Sequence, residues 1–126
     1  MENITKKSGY SDKTIFVKIS SRDSEDLKKT RAELEEKLTD YGGELVARKS
    51  QDNSAAHESA IAVYFKNEDQ MSKAMIDLNP ETLLRSEQHH IEIADDASKK
   101  NEMSKKYFNQ EADKLLSDYL YETLWN

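Results

Sequence analysis

Through Ser59-Ala60-Ile61-Ala62-Val63-Tyr64-Phe65 the apolar positions alternate with the period of a strand, and Met71, Ala74, Met75 and Leu78 then recur with the period of a helix. That change of period predicts a strand packed on the helix that follows it. Counted outward from the junction, the same two periods predict strand, helix, strand, strand, helix, strand, and then a third, long helix. The first strand covers Thr14–Ile19, with Ile15, Val17 and Ile19 on one face and Phe16 and Lys18 on the other. Asp23 or Ser24 then offers an N-cap oxygen, and Glu25 and Asp26 suit the first helical turn. Leu27, Thr30, Leu34, Leu38 and Tyr41 form the buried stripe of this helix, which ends at Gly42-Gly43.

Glu44–Lys49 reads as a second strand built on Leu45, Val46 and Ala47, and Gln51–Glu58 has the composition of a loop. The second helix is predicted to stop at Asn79-Pro80, since proline disfavours a helical predecessor. His90-Ile91-Glu92-Ile93 alternates as a fourth strand ending near Ala94-Asp95. Finally, Met103, Tyr107, Phe108, Ala112, Leu115, Leu116, Tyr119, Leu120 and Leu124 give one continuous apolar stripe from about Ser98 to Leu124, a helix of roughly 33–40 Å. The predicted organisation is a flexible arm over residues 1–12, a folded domain over 13–96, and an amphipathic C-terminal helix over 97–126.

Composition narrows the function. A chain of 126 residues suits one core, and with 36% hydrophobic against 35% charged residues every apolar position has a place in a small core or an interface. No apolar run is long enough to span a bilayer, so no membrane partner is expected, and Met1–Lys7 lacks the apolar segment of a secretory signal. The absence of cysteine leans toward an intracellular setting, cytoplasmic or nuclear. The net charge of −6 argues against strong sequence-independent binding to a polyanion. From Ser98 onward acids and bases balance, so the acidic excess lies in residues 1–97, and Lys99, Lys100, Lys105 and Lys106 are the one notable basic concentration. Those four lysines are candidate phosphate contacts, weighed against a plain solvated helix start.

Catalytic chemistry finds little purchase. His89 and His90 are adjacent on a strand and point to opposite faces, so they do not readily share an ion with Asp95-Asp96, and His57 lies in a loop. No glycine-rich phosphate loop or Ser/His/Asp arrangement is recognisable, and Ser20-Ser21-Arg22-Asp23 after the first strand has an arginine but no glycine. The expectation is a non-enzyme with no cofactor, no metal and no catalytic residue.

The order βαββαβ, with the hexamer Ile15-Phe16-Val17-Lys18-Ile19-Ser20 and the run Phe65-Lys66-Asn67-Glu68-Asp69-Gln70-Met71-Ser72-Lys73-Ala74-Met75, resembles the RNA recognition motif over roughly Lys13 to Ala94. The resemblance implies an α+β, ferredoxin-like βαββαβ sandwich: a four-stranded antiparallel sheet with two helices on one face, here extended by the long C-terminal helix. It also places Phe16 where the family stacks a base. The family's third-strand octamer is basic, Gly, aromatic, Gly/Ala, aromatic, Val, any, aromatic, with the two inner aromatics stacking bases. Here those places read Glu58, Ser59, Ala60, Ile61, Ala62, Val63, Tyr64 and Phe65, so both stacking rings are methyl groups and the phosphate-pairing base is an acid. Loss of two stacking platforms, each worth roughly 1–3 kcal/mol, removes most of the affinity that face would have.

Two alanines leave a shallow trough on that face, and the terminal helix carries Tyr107, Phe108, Leu116 and Tyr119 in need of a surface. The expected arrangement packs it across Phe16, Ala60, Ala62 and Tyr64, with Lys18 beside them; the competing one has it project as a dimerisation element or partner-bound arm. The favoured function is therefore an interaction module that binds a protein partner, as a monomer or as a homodimer through the C-terminal helix. Its rivals are an RNA-binding protein using Phe16, Tyr64, Lys18 and the lysine-rich helix start, and a small acidic regulatory or viral inhibitor that occupies a nucleic-acid site on an enzyme.

Overall fold

Strands β1 (Thr14–Ser21) and β3 (His57–Tyr64) pair antiparallel along their whole length, Thr14 opposite Tyr64 and Ser21 opposite His57, and they form the centre of the sheet. Both are apolar on both faces, which is the pattern of strands covered on two sides. β4 (His89–Ala94) flanks β1 and β2 (Glu44–Asp52) flanks β3, both antiparallel, so the order across the sheet is β2-β3-β1-β4. The computed structural model describes residues 10–52, 55–77, 89–94 and 96–125, and within them the chain is an α+β protein with one four-stranded antiparallel sheet and four α-helices. Residues 1–9 of the expected arm over 1–12, the helix stop at Asn79-Pro80 with Leu78, and the strand end at Asp95 lie outside the described residues.

Alternation sorts the sheet into two cores. Ile15, Val17, Ile19, Ile61, Val63, Phe65 and Ile91 meet Leu27, Leu34 and Leu38 of α1 (Ser24–Asp40) and Ala74 of α2 (Glu68–Asp77), with Tyr41, Met71, Met75 and Ile93 around them. Phe16, Ala60, Ala62 and Ala94 face the other way and meet Met103 and Tyr107 of α3 (Ala97–Phe108) and Ala112, Leu115 and Leu116 of α4 (Ala112–Trp125). β2 reaches the second core through a bulge: Leu45 opposes Val63 and Ala47 opposes Ala62, so Val46 is the extra residue, and Val46 and Ala47 both pack on the α3–α4 side.

Local chemistry sets the boundaries. Asp23 caps α1 by accepting from the backbone N–H of Glu25 at 3.1 Å. At the other end Gly42 N–H donates to Thr39 C=O (2.9 Å) and Gly43 N–H to Leu38 C=O (3.0 Å), the paired bonds of a Schellman turn, with Gly42 at φ +101° where a side chain would be strained. The hairpin between β2 and β3 runs three residues further than Lys49, because the ladder continues to the Asp52–His57 pair and His57 Nδ1 lies 2.8 Å from Asp52 Oδ1.

Two expectations need correction. The long terminal helix is two helices, broken after Phe108, where Asn109 takes the left-handed conformation (φ 62°) and its N–H closes on Lys105 C=O. The restart of α4 is fixed from outside: the Asn101 side-chain carbonyl accepts the Ala112 N–H at 2.9 Å, tying the first turn of α4 back to α3. Residues 10–12 of the expected arm are also not irregular, because Tyr10–Lys13 forms a 3-10 turn leading straight into β1, and Lys13 C=O accepts the Phe65 N–H at 2.8 Å.

Gly43 sits where α1 passes close to the sheet. A Cβ there would stand 2.5 Å from Val63 Cγ1 and 2.9 Å from both Leu38 O and Phe65 Cζ. Gly43→Ala is expected to destabilise the fold by about 1–3 kcal/mol, read as a fall in the urea midpoint; a midpoint equal to wild type would show that α1 does not approach the sheet this closely.

Candidate functional site

The face of the sheet that the sequence singles out is built by Thr14, Phe16, Lys18 and Ser20 of β1, Glu58, Ala60, Ala62 and Tyr64 of β3, and His90, Glu92 and Ala94 of β4, by strand alternation. Phe16, Ala60 and Ala62 are each 0% exposed, and Tyr64 is half-buried. Tyr107 and Leu116 are buried with them, and Phe108 packs at the margin. Small side chains on β3 let helices lie close to the backbone, and the bulky residues of the cluster come from α3 and α4. A base seeking the ring of Phe16 meets protein instead.

Two tyrosine hydroxyls fasten the helices to the strands. Tyr107 Oη donates to Glu58 Oε1 at 2.8 Å, and Tyr119 Oη donates to Glu44 Oε1 at 3.0 Å. The place of Glu58 in this chain is as acceptor for an α3 tyrosine. Burial, and then the bond to Glu58, hold the Tyr107 phenol well above its ordinary ionisation range.

The four candidate lysines of the helix start separate. Lys100 turns inward and is buried, a correction to its reading as a phosphate contact, because α3 buries the stripe Lys100, Met103, Ser104 and Tyr107. Lys105 points out, 3.7 Å from Glu111. Lys106 lies 5.2 Å above the Tyr107 ring, a cation–π contact, and Lys99 stands on the same side of α3 two turns earlier. Lys18 pairs with Glu92 across β1 and β4 at 3.3 Å.

Outside this face, sequence reasoning missed a polar cluster at the end of the sheet. His89 Nδ1 lies 3.0 Å from Asp26 Oδ2 and 3.3 Å from Thr30 Oγ1, and Ser21 Oγ donates to the same Asp26 oxygen at 2.8 Å. Ser21 is directed at the aspartate and not at the imidazole, so the group joins the α1 N-terminus to β1 and β4 without forming a nucleophile–base pair. No local sequence signal links residues so far apart. Among the described residues no three His, Asp or Glu side chains gather as metal ligands, and no helix is long and apolar enough to cross a membrane.

No family model matches the sequence, and no curated protein does. Among solved structures, the chain is similar to the de novo designed protein Foldit4, with a TM-score of 0.53 at 8% identity over 64% of this chain and 91% of that one. It is also similar to the de novo designed protein Ferredog-Diesel, with a TM-score of 0.41 at 13% identity over 75% of this chain and 93% of that one. The first likeness concerns fold alone.

The Tyr107–Glu58 bond gives a pH signature. Because the folded state holds the phenol protonated above its unfolded range, its contribution is complete below about pH 10 and is lost as pH rises toward the raised folded value. Tyr107→Phe is expected to cost about 1–3 kcal/mol near neutrality and to flatten the alkaline fall in stability, leaving the smaller part due to Tyr41, whose phenol is raised by its hydrogen bond to Asp77. Urea midpoints measured from pH 7 to 11 check this; parallel curves for variant and wild type would contradict it.

Proposed function

We propose that this chain is a non-enzymatic interaction module: an RNA-recognition-motif-like, ferredoxin-like βαββαβ core whose base-stacking face is occupied by its own C-terminal helices, and which binds a protein partner. The observation that carries this reading is the complete burial of Phe16 between Ala60, Ala62 and the α3–α4 pair, since stacking on single-stranded RNA needs an open ring. The strand order β2-β3-β1-β4 supports the ferredoxin-like description of the core.

The stripe that would have driven self-association is taken up by the chain's own sheet, so the reading is of a monomer whose outer surface meets the partner. On that surface Tyr121 of α4 is 65% exposed beside exposed Glu122, with the Lys114–Asp118 pair one to two turns earlier. An exposed aromatic ringed by charge is the composition of an interface anchor. The acidic balance of residues 1–97 favours a basic partner, whose encounter would be steered electrostatically and slowed by salt.

Fluorescence anisotropy with a labelled, mixed-sequence single-stranded RNA at low salt tests the RNA half of this reading. No saturable binding is expected, and micromolar binding would contradict it. Photo-crosslinking from exposed Ser117, one turn before Tyr121 on α4, in cell extract tests the other half: a discrete, salt-sensitive protein adduct that Tyr121→Glu removes is expected, and its absence would remove the α4 surface from the proposal.

A further inference from the structure

The lysine concentration along α3 is not used by the partner-binding reading, and the fold gives part of it a different setting. Lys99, Glu102 and Lys106 recur along one side of α3 and face Lys18 and Glu92, which stand on neighbouring strands of the covered sheet face. Between them is a cleft of about 160 Å³, lined also by Met103 and Tyr107. Three lysines from two elements thus line one hollow. The Tyr107–Glu58 bond and the Phe16 cluster fix the relative position of those elements.

We propose that this cleft binds a small oxyanion of the phosphate class. Its lining carries three lysines against two glutamates, a net charge of +1 within a chain of −6. The exposures decide which sign of ligand it takes. In the Lys18–Glu92 pair the lysine side chain is 22% exposed and the glutamate 50%, so the carboxylate is the partner with more room to swing into water and the lysine the more enclosed one. An entering dianion exchanges places with Glu92 and gains a partly desolvated ammonium, with Lys99 and Lys106 supplying further rotatable donors to its remaining oxygens. A cationic ligand would have to displace the more secluded member of the pair. The volume is about half the lower limit of drug-sized sites, which suits a phosphate or a short phosphomonoester and excludes a whole nucleotide.

The test is a titration of the full chain with inorganic phosphate at constant ionic strength, balanced with sodium chloride and followed by amide chemical shifts. Saturable shifts confined to Lys18, Glu92 and the Lys99–Tyr107 turns are expected. The double variant Lys18→Gln/Lys106→Gln should weaken binding by about tenfold or more, while Lys105→Gln, on the outer side of α3, should not. Glu92→Gln removes the competing carboxylate without touching a core residue and should tighten binding. A parallel arm with glycerol phosphate separates the sources: equal affinity marks free phosphate, and tighter binding of the ester marks a phosphomonoester. Shifts that grow linearly and equally with phosphate and chloride, or an affinity unchanged by Glu92→Gln, would overturn the proposal.

Discussion

A sheet whose two central strands are apolar on both faces must be covered twice, and this constraint governs the whole chain. Ile15, Val17 and Ile19 look one way and Phe16 looks the other, and all four are at most 2% exposed. Helices α1 and α2 cover the first face, as the βαββαβ order allows, but nothing within that order reaches the second. The two helices after β4 exist to meet that need. Burying a phenylalanine stabilises by about 1.5–3 kcal/mol relative to exposure, and Phe16, Tyr107, Leu115 and Leu116 are buried in one cluster, so the cover is as much a part of the core as α1.

The composition of β3 explains why the cover fits. Ala60 and Ala62 keep the middle of the strand low, the β2 bulge turns Val46 and Ala47 to the same side, and the large side chains arrive from the helices. Had aromatic residues stood at 60 and 62, α3 and α4 would have been held away from the sheet and Phe16 would have kept an open side. Glu58 belongs to the same arrangement, because an acid there gives Tyr107 an acceptor. Residues that read as losses against a nucleic-acid-binding pattern are, in this fold, the packing and hydrogen-bonding partners of the chain's own helices.

Much of this was legible in the sequence, and for identifiable reasons. Alternation in Ile15–Ile19 and Ser59–Phe65 assigned each side chain to its face, and Asp23 and Gly42-Gly43 marked the ends of α1, because these signals are local. The break at Asn109 was not read. Tyr107, Phe108, Ala112, Leu115 and Leu116 keep helical spacing across it, so periodicity alone cannot reveal a change of direction. The clue is Asn109 itself, a residue tolerant of the left-handed region, and its weight depends on Asn101 capping Ala112, which only the folded chain brings about. The division within the lysine cluster is hidden from the sequence for a related reason. Adjacent lysines looked equivalent in the sequence, yet the helix turns Lys100 into the interface, Lys105 toward Glu111, and Lys99 and Lys106 toward Lys18. The tie from Asp26 to His89 joins residues 63 positions apart that no local pattern connects.

The measurement that bears most directly on the covered face is a nuclear Overhauser experiment on the full chain in solution. The account predicts contacts from the Phe16 ring and the Ala60 and Ala62 methyl groups to side chains of α3 and α4, together with slow amide exchange through β1 and β3. Phe16 showing contacts only within the sheet, with Tyr107 and Leu116 averaged as in a free helix, would contradict it.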